Sequence, residues 1–134
     1  MWKDAATGLD CKCRPDWLID DGSLIVDLQT TEDASPAGFR KSISAWRYHL
    51  QAAWYLDGLE HATSRRPDQF IFICVENEFP YCVQVFRISW EVIAYGRKRM
   101  RRALNKISRA VDTSVYTTGW PNEHIINLPE WLEE

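Results

Sequence analysis

Asp21-Gly22, in the middle of "WLIDDGSLIVDLQT" (residues 17–30), is the feature that most constrains this chain. Asp-Gly between two apolar, β-favouring runs is the strongest short-range signal for a hairpin. It predicts strands over 11–18 and 23–30, joined by a two-residue turn. In that register Asp20 pairs with Ser23, Asp16 lies opposite Asp27, and Arg14 lies opposite Gln29. Side chains alternate along a strand, so these last four share one face, and opposed Cβ atoms sit about 4.5–5.5 Å apart. Two facing carboxylates repel unless one is protonated or a cation lies between them. A hard divalent ion suits the place, because Mg²⁺ usually takes only one or two protein carboxylates and keeps oxygen ligands from water or phosphate. The competing reading is that Asp27 pairs with Arg14 or Lys12. A slip of one residue in register would move the whole set to the other face.

The rest of the chain completes an alternating pattern. Ser35-Pro36 opens a helix that the apolar spacing of Phe39, Ile43, Trp46, Leu50, Ala53 and Leu56 carries to about Glu60. "QFIFICVE" (69–76) and "YCVQVFRI" (81–88) read as a second strand pair. A second helix runs from about Ser89 to Val111, with Ile93, Met100, Leu104, Ile107 and Val111 as its stripe. The order β-β-α-β-β-α predicts an α/β fold, a mixed sheet flanked by helices. A length of 134 residues suits one domain. No apolar run approaches the roughly 18 residues of a membrane span, and the first residues have no signal-peptide core, so a cytoplasmic protein with no membrane partner is expected. The four cysteines are then expected to be reduced.

"CKCRPDWLIDDGSLIVDLQTT", followed by "YHLQAAWYLDGL" and by "GWP" and "LPEW" near the end, resembles the PD-(D/E)XK nucleases of the exodeoxyribonuclease VIII (RecE-like) type, phage and prophage relatives of lambda exonuclease. The resemblance covers nearly the whole chain. It implies a restriction-endonuclease-like core and an Mg²⁺-dependent (or Mn²⁺-dependent) exonuclease. Such an enzyme digests double-stranded DNA from 5′ ends for recombination, beside a single-strand annealing protein and with a homo-oligomer as one form. By motif match Asp16 and Asp27 take the places of the metal-binding acids, Leu28 offers its carbonyl, and Gln29 stands where the family has lysine. Tyr48 and Gln51 match the family's Tyr-x-x-Gln pair. Three residues apart, they share one helix face, with Tyr55 a turn further on; the competing reading packs Tyr48 in the core. Glutamine at 29 carries no charge to stabilise a transition state. The family's upstream helical segment, with a further acid, is absent from residues 1–134. A non-catalytic scaffold that binds DNA ends or a recombination or defence protein is therefore the alternative.

Seven of the 16 Lys and Arg residues fall between Arg97 and Arg109, although the net charge is −3. Lys98, Arg101, Arg102 and Arg109 form the polar face of that helix. Read with Arg14, three of these (Lys98, Arg101 and Arg102) are expected to contact DNA phosphates, without sequence preference and in a salt-dependent way. The bland alternative is a solvated face balanced by Glu130, Glu133 and Glu134. Cys11, Cys13, Cys74 and Cys82 lack cluster spacing and read as strand thiols. His49 points about 100° away from Tyr48, and neither His61 nor His124 has a partner at ligand spacing. Trp46, Trp54, Trp120 and Trp131 read as core or strapping residues.

Overall fold

The computed structural model describes residues 1–19, 21–117, 123 and 125–127. The predicted hairpin forms in the predicted register. Strand β4 (Leu24–Thr31) pairs antiparallel with β3 (Trp17–Leu18), Trp17 facing Val26 and Leu18 facing Ile25. Ile19 N–H donates to the Leu24 carbonyl, and Gly22 N–H donates to the Ile19 carbonyl, with Gly22 at φ +73°. Only glycine takes that conformation without strain, which is why the Asp-Gly signal locates the turn. The expected pairing of Asp20 with Ser23 lies outside the described residues.

Strand β3 is also much shorter than the predicted 11–18. Pro15 offers no N–H to a ladder, and the Lys12 carbonyl accepts Trp54 Nε1–H at 2.9 Å, drawing this segment toward a helix. Arg14 is therefore not laddered opposite Gln29, a correction to the expected arrangement. Cys11 belongs instead to a separate ribbon. There β2 (Asp10–Cys11) pairs with β1 (Trp2–Lys3), which the sequence pattern did not reveal.

The main sheet has the order β3-β4-β5-β6. β5 (Gln69–Glu76) runs parallel to β4, and β6 (Val83–Arg87) runs antiparallel to β5. A parallel neighbour needs a crossover, and two helices supply it where one was predicted. α1 (Pro36–Ala45) starts as expected, with Ser35 Oγ accepting Gly38 N–H at 3.1 Å. It ends where Trp46 N–H closes on the Ser42 carbonyl and Arg47 turns to φ +63°. α2 (Tyr48–Thr63) then follows. α3 (Trp90–Thr113) starts at its Ser89 cap and packs on α2.

Alternation along β4 and β5 places Ile25, Asp27, Phe70, Phe72 and Cys74 on the helix-covered face, all at most 1% exposed. Phe39, Ala52, Ala53, Leu56 and Ile93 close this core from the helices. A smaller cluster joins Cys11, Met100 and Leu104. The predicted stripe of α3 is buried only in its first half, since Ile107 and Val111 are exposed. Trp46, expected in the core, is exposed as well. Among the described residues no helix is long and apolar enough to cross a membrane. The expectations for Trp120, His124, Glu130, Trp131, Glu133 and Glu134 lie outside the described residues.

Candidate active site

Asp27 is the one acidic side chain that β4 sends into the core, and it is 1% exposed. Gln29, two residues on, lies on the same face, and its side-chain amide donates to Asp27 Oδ2. From α2, Gln51 Nε2 donates to the same oxygen at 2.9 Å. Two carboxamides thus hold one carboxylate oxygen and leave the other clear of them. On the β3 side, Asp16 Oδ2 accepts the Leu28 N–H at 3.0 Å. In extended backbone a residue's N–H and C=O leave by the same edge. The Leu28 carbonyl therefore points to the side where Asp16 sits and where β3 has ended.

Burial raises the Asp27 pKa; the Gln29 and Gln51 hydrogen bonds oppose that rise, and the neighbouring Asp16 charge adds to it. The competing reading, an ion pair from Asp27 to Arg14 or Lys12, does not form, and among the described residues no ion pair reaches Asp16 or Asp27. The sign of the effect on stability follows. The folded state holds the Asp27 proton more tightly than the unfolded chain does. Stability is therefore lost as pH rises from the ordinary value of 3.8 through the raised folded value. Asp27→Asn is expected to melt no lower than wild type at pH 7 in EDTA, with its advantage closing as the pH falls below that window. A large drop in melting temperature would show that the charge is structurally compensated.

Tyr48 lies against Phe39 and Phe72, with ring centroids 5.9 and 5.2 Å away, and it also borders a cleft of about 600 Å³ with Gln29. It is thus both a packing residue and a cleft residue, and burial raises its pKa and keeps the phenol protonated. Arg14 and Lys12 share a second cleft, of about 590 Å³, with Asp16 and Tyr55. Gln51 and Tyr55 border a third, of about 400 Å³. Asp16, Asp27, Leu28, Gln29 and Gln51 are thus brought together, and Arg14 reaches the same region by the cleft rather than by strand pairing.

The basic helix fares differently. Arg101 grips Asp4 with two hydrogen bonds of 2.7 and 2.8 Å, and the guanidinium holds the Asp4 carboxyl well below the usual carboxylate range. Arg97 grips Asp57 at 2.7 Å through Nε. Arg101 is therefore a strap between α3 and the β1–β2 ribbon rather than a free phosphate contact. Lys98 and Arg102 remain exposed. Cys11 and Cys74 are buried, Cys82 is exposed, and no cluster of three or more metal-binding side chains occurs among the described residues.

No curated protein matches the sequence. Among solved structures, a protein named "Putative exonuclease", from Eubacterium rectale, is similar in fold. Its TM-score is 0.58, at 14% identity over 79% of this chain. The chain spans 44% of that protein's length. Residues 1–120 match the family described as a PDDEXK-like domain of unknown function (DUF3799). Together with the mixed sheet and its Asp16–Asp27 hairpin, that match shows that the chain belongs to this PDDEXK-like family, within the PD-(D/E)XK nuclease superfamily.

Proposed function

We propose that this chain carries a divalent-metal-dependent nuclease site that acts on DNA ends. The observation that carries the reading is Asp27, 1% exposed beside a second carboxylate and without a cationic partner among the described residues. Two acids and one backbone carbonyl suit Mg²⁺ or Mn²⁺, which leave their other positions to water and phosphate. Asp16, Asp27 and the Leu28 carbonyl would hold the ion. Bound there, it supplies charge stabilisation on a phosphodiester and lowers the pKa of water. Gln29 and Gln51 fix the Asp27 carboxylate, so its free oxygen keeps one direction. The Tyr48 hydroxyl, protonated in its half-buried setting, can donate to a phosphate oxygen. Lys12 and Arg14 supply positive charge for the backbone on the Asp16 side. The resemblance to the exodeoxyribonuclease VIII type extends the proposal to duplex DNA digested from 5′ ends, a single-strand annealing partner and a homo-oligomer.

Gln29 favours a second reading, a scaffold that binds metal and DNA ends without cutting. One experiment separates the two. Linear and circular duplex DNA are incubated with the chain in Mg²⁺, Mn²⁺ or EDTA, beside calorimetric titration with Mn²⁺. The nuclease reading expects metal-dependent loss of linear DNA, abolished in Asp16→Ala and Asp27→Ala. Mn²⁺ binding that depends on Asp27 without any cutting selects the second reading. Mn²⁺ binding unchanged in Asp27→Ala would refute the metal site.

A further inference from the structure

Trp46 stands 71% exposed beside this site. Its backbone is nevertheless fixed on both sides. Its N–H ends α1 on the Ser42 carbonyl at 2.9 Å, and the next residue, Arg47, takes the left-handed conformation that side chains rarely adopt. The Arg47 carbonyl then accepts the N–H groups of Leu50, at 2.8 Å, and Gln51, at 3.2 Å. Gln51 is the residue whose amide holds Asp27. One strained corner therefore aims a carboxamide inward and presents an indole outward.

Trp46 borders two of the clefts described above, whose linings include the two carboxamides that hold Asp27. On one side lie Gln29 and Tyr48, and on the other Gln51 and Tyr55. Among the described residues no aromatic ring or guanidinium stacks on it. Arg47 is exposed at its side and borders the smaller cleft. A planar apolar surface next to a cation matches a nucleobase with its phosphate. A base inside a duplex has both faces covered by its neighbours, so the indole is open only to a base that has left the stack. Leaving the stack costs energy, which an aromatic platform offsets.

We propose that Trp46 stacks on an unpaired base at the end of the strand entering the Asp27 site, with Arg47 against the adjoining phosphate. The site then prefers ends carrying an unpaired nucleotide over blunt ends. This rests on the DNA-end reading above, and it is tested by binding rather than by cutting.

The full chain is titrated in EDTA with short duplexes bearing 2-aminopurine, either as an unpaired terminal nucleotide or in a blunt terminal pair. Affinity is read by anisotropy and stacking by quenching of 2-aminopurine. Wild type should bind the unpaired end more tightly and quench it. Trp46→Ala should weaken that binding roughly 5- to 150-fold, the range expected for one base–aromatic stack. It should also erase quenching and the preference between ends, while Trp46→Phe keeps most of both. An exposed side chain makes the fold insensitive to either change, and matching melting curves check this. If Trp46→Ala keeps the quenching and the preference, the stacking proposal falls while the DNA-end reading stands. If wild type binds neither duplex at low salt, in EDTA or with Ca²⁺ added, the DNA-end reading fails and takes this proposal with it.

Discussion

Gly96→Ala is expected to lower stability by about 2–3 kcal/mol, or roughly 10 °C in melting temperature. The reason is the close crossing of α2 and α3. A Cβ at Gly96 would fall on the His49 carbonyl oxygen, well inside contact distance, and within 3.1 Å of Ala53 Cβ. The first obstacle is helix backbone, which cannot rotate away as a side chain can. α3 must move or tilt, and a packed core resists such a shift. Alanine's better helix propensity, worth about 1 kcal/mol over glycine, offsets only part of the cost. The change also reaches the site, because His49 adjoins Tyr48 and lies two residues before Gln51. Gly58→Ala is the internal comparison. Its Cβ would meet the Trp2 ring at 2.7 Å and Cys13 Sγ at 2.8 Å, both side-chain atoms that can yield. It should cost less. Equal melting temperatures for Gly96→Ala and wild type would contradict the close approach.

What the sequence made legible is what local chemistry encodes. Asp21-Gly22 set the register, and with it the neighbourhood of Asp16 and Asp27. Ser35-Pro36 and Ser89 marked helix starts that side-chain hydrogen bonds confirm. The short apolar run in "QFIFICVE" matched β5 to the residue. The break at Trp46–Arg47 was not legible, because neither glycine nor proline marks it and the apolar spacing runs straight through. Trp46 therefore read as a core residue. The basic helix misled for a different reason. Counting charges along α3 cannot reveal that Asp4, 97 residues away, takes Arg101, or that Asp57 takes Arg97. A charge run shows which residues are polar, and the fold decides which of them remain free. Residues 11–14 misled likewise, since their strand-like composition yielded to Pro15 and to the Trp54–Lys12 hydrogen bond.

Gln29→Lys is expected to raise metal-dependent cutting by about 10²–10³-fold, the usual worth of one well-placed charge-stabilising donor. The structural ground is that the Gln29 amide already touches Asp27 Oδ2, so an ammonium at this position lies within reach of the same carboxylate. That gives the substitution a second readout, independent of catalysis. In wild type, burial raises the Asp27 pKa, and the two carboxamides only partly oppose it. An opposite charge favours the ionised carboxylate. The variant should therefore lose the decline in stability that wild type shows as pH rises through the carboxylate range in EDTA. Three outcomes are distinct. Higher activity with the altered pH profile means that the chain is an enzyme weakened at one position. The altered profile alone means that the lysine is seated but the site lacks another element, which supports the binding scaffold. If neither changes, residue 29 does not act on Asp27, and the arrangement of β4 that brings them together is wrong.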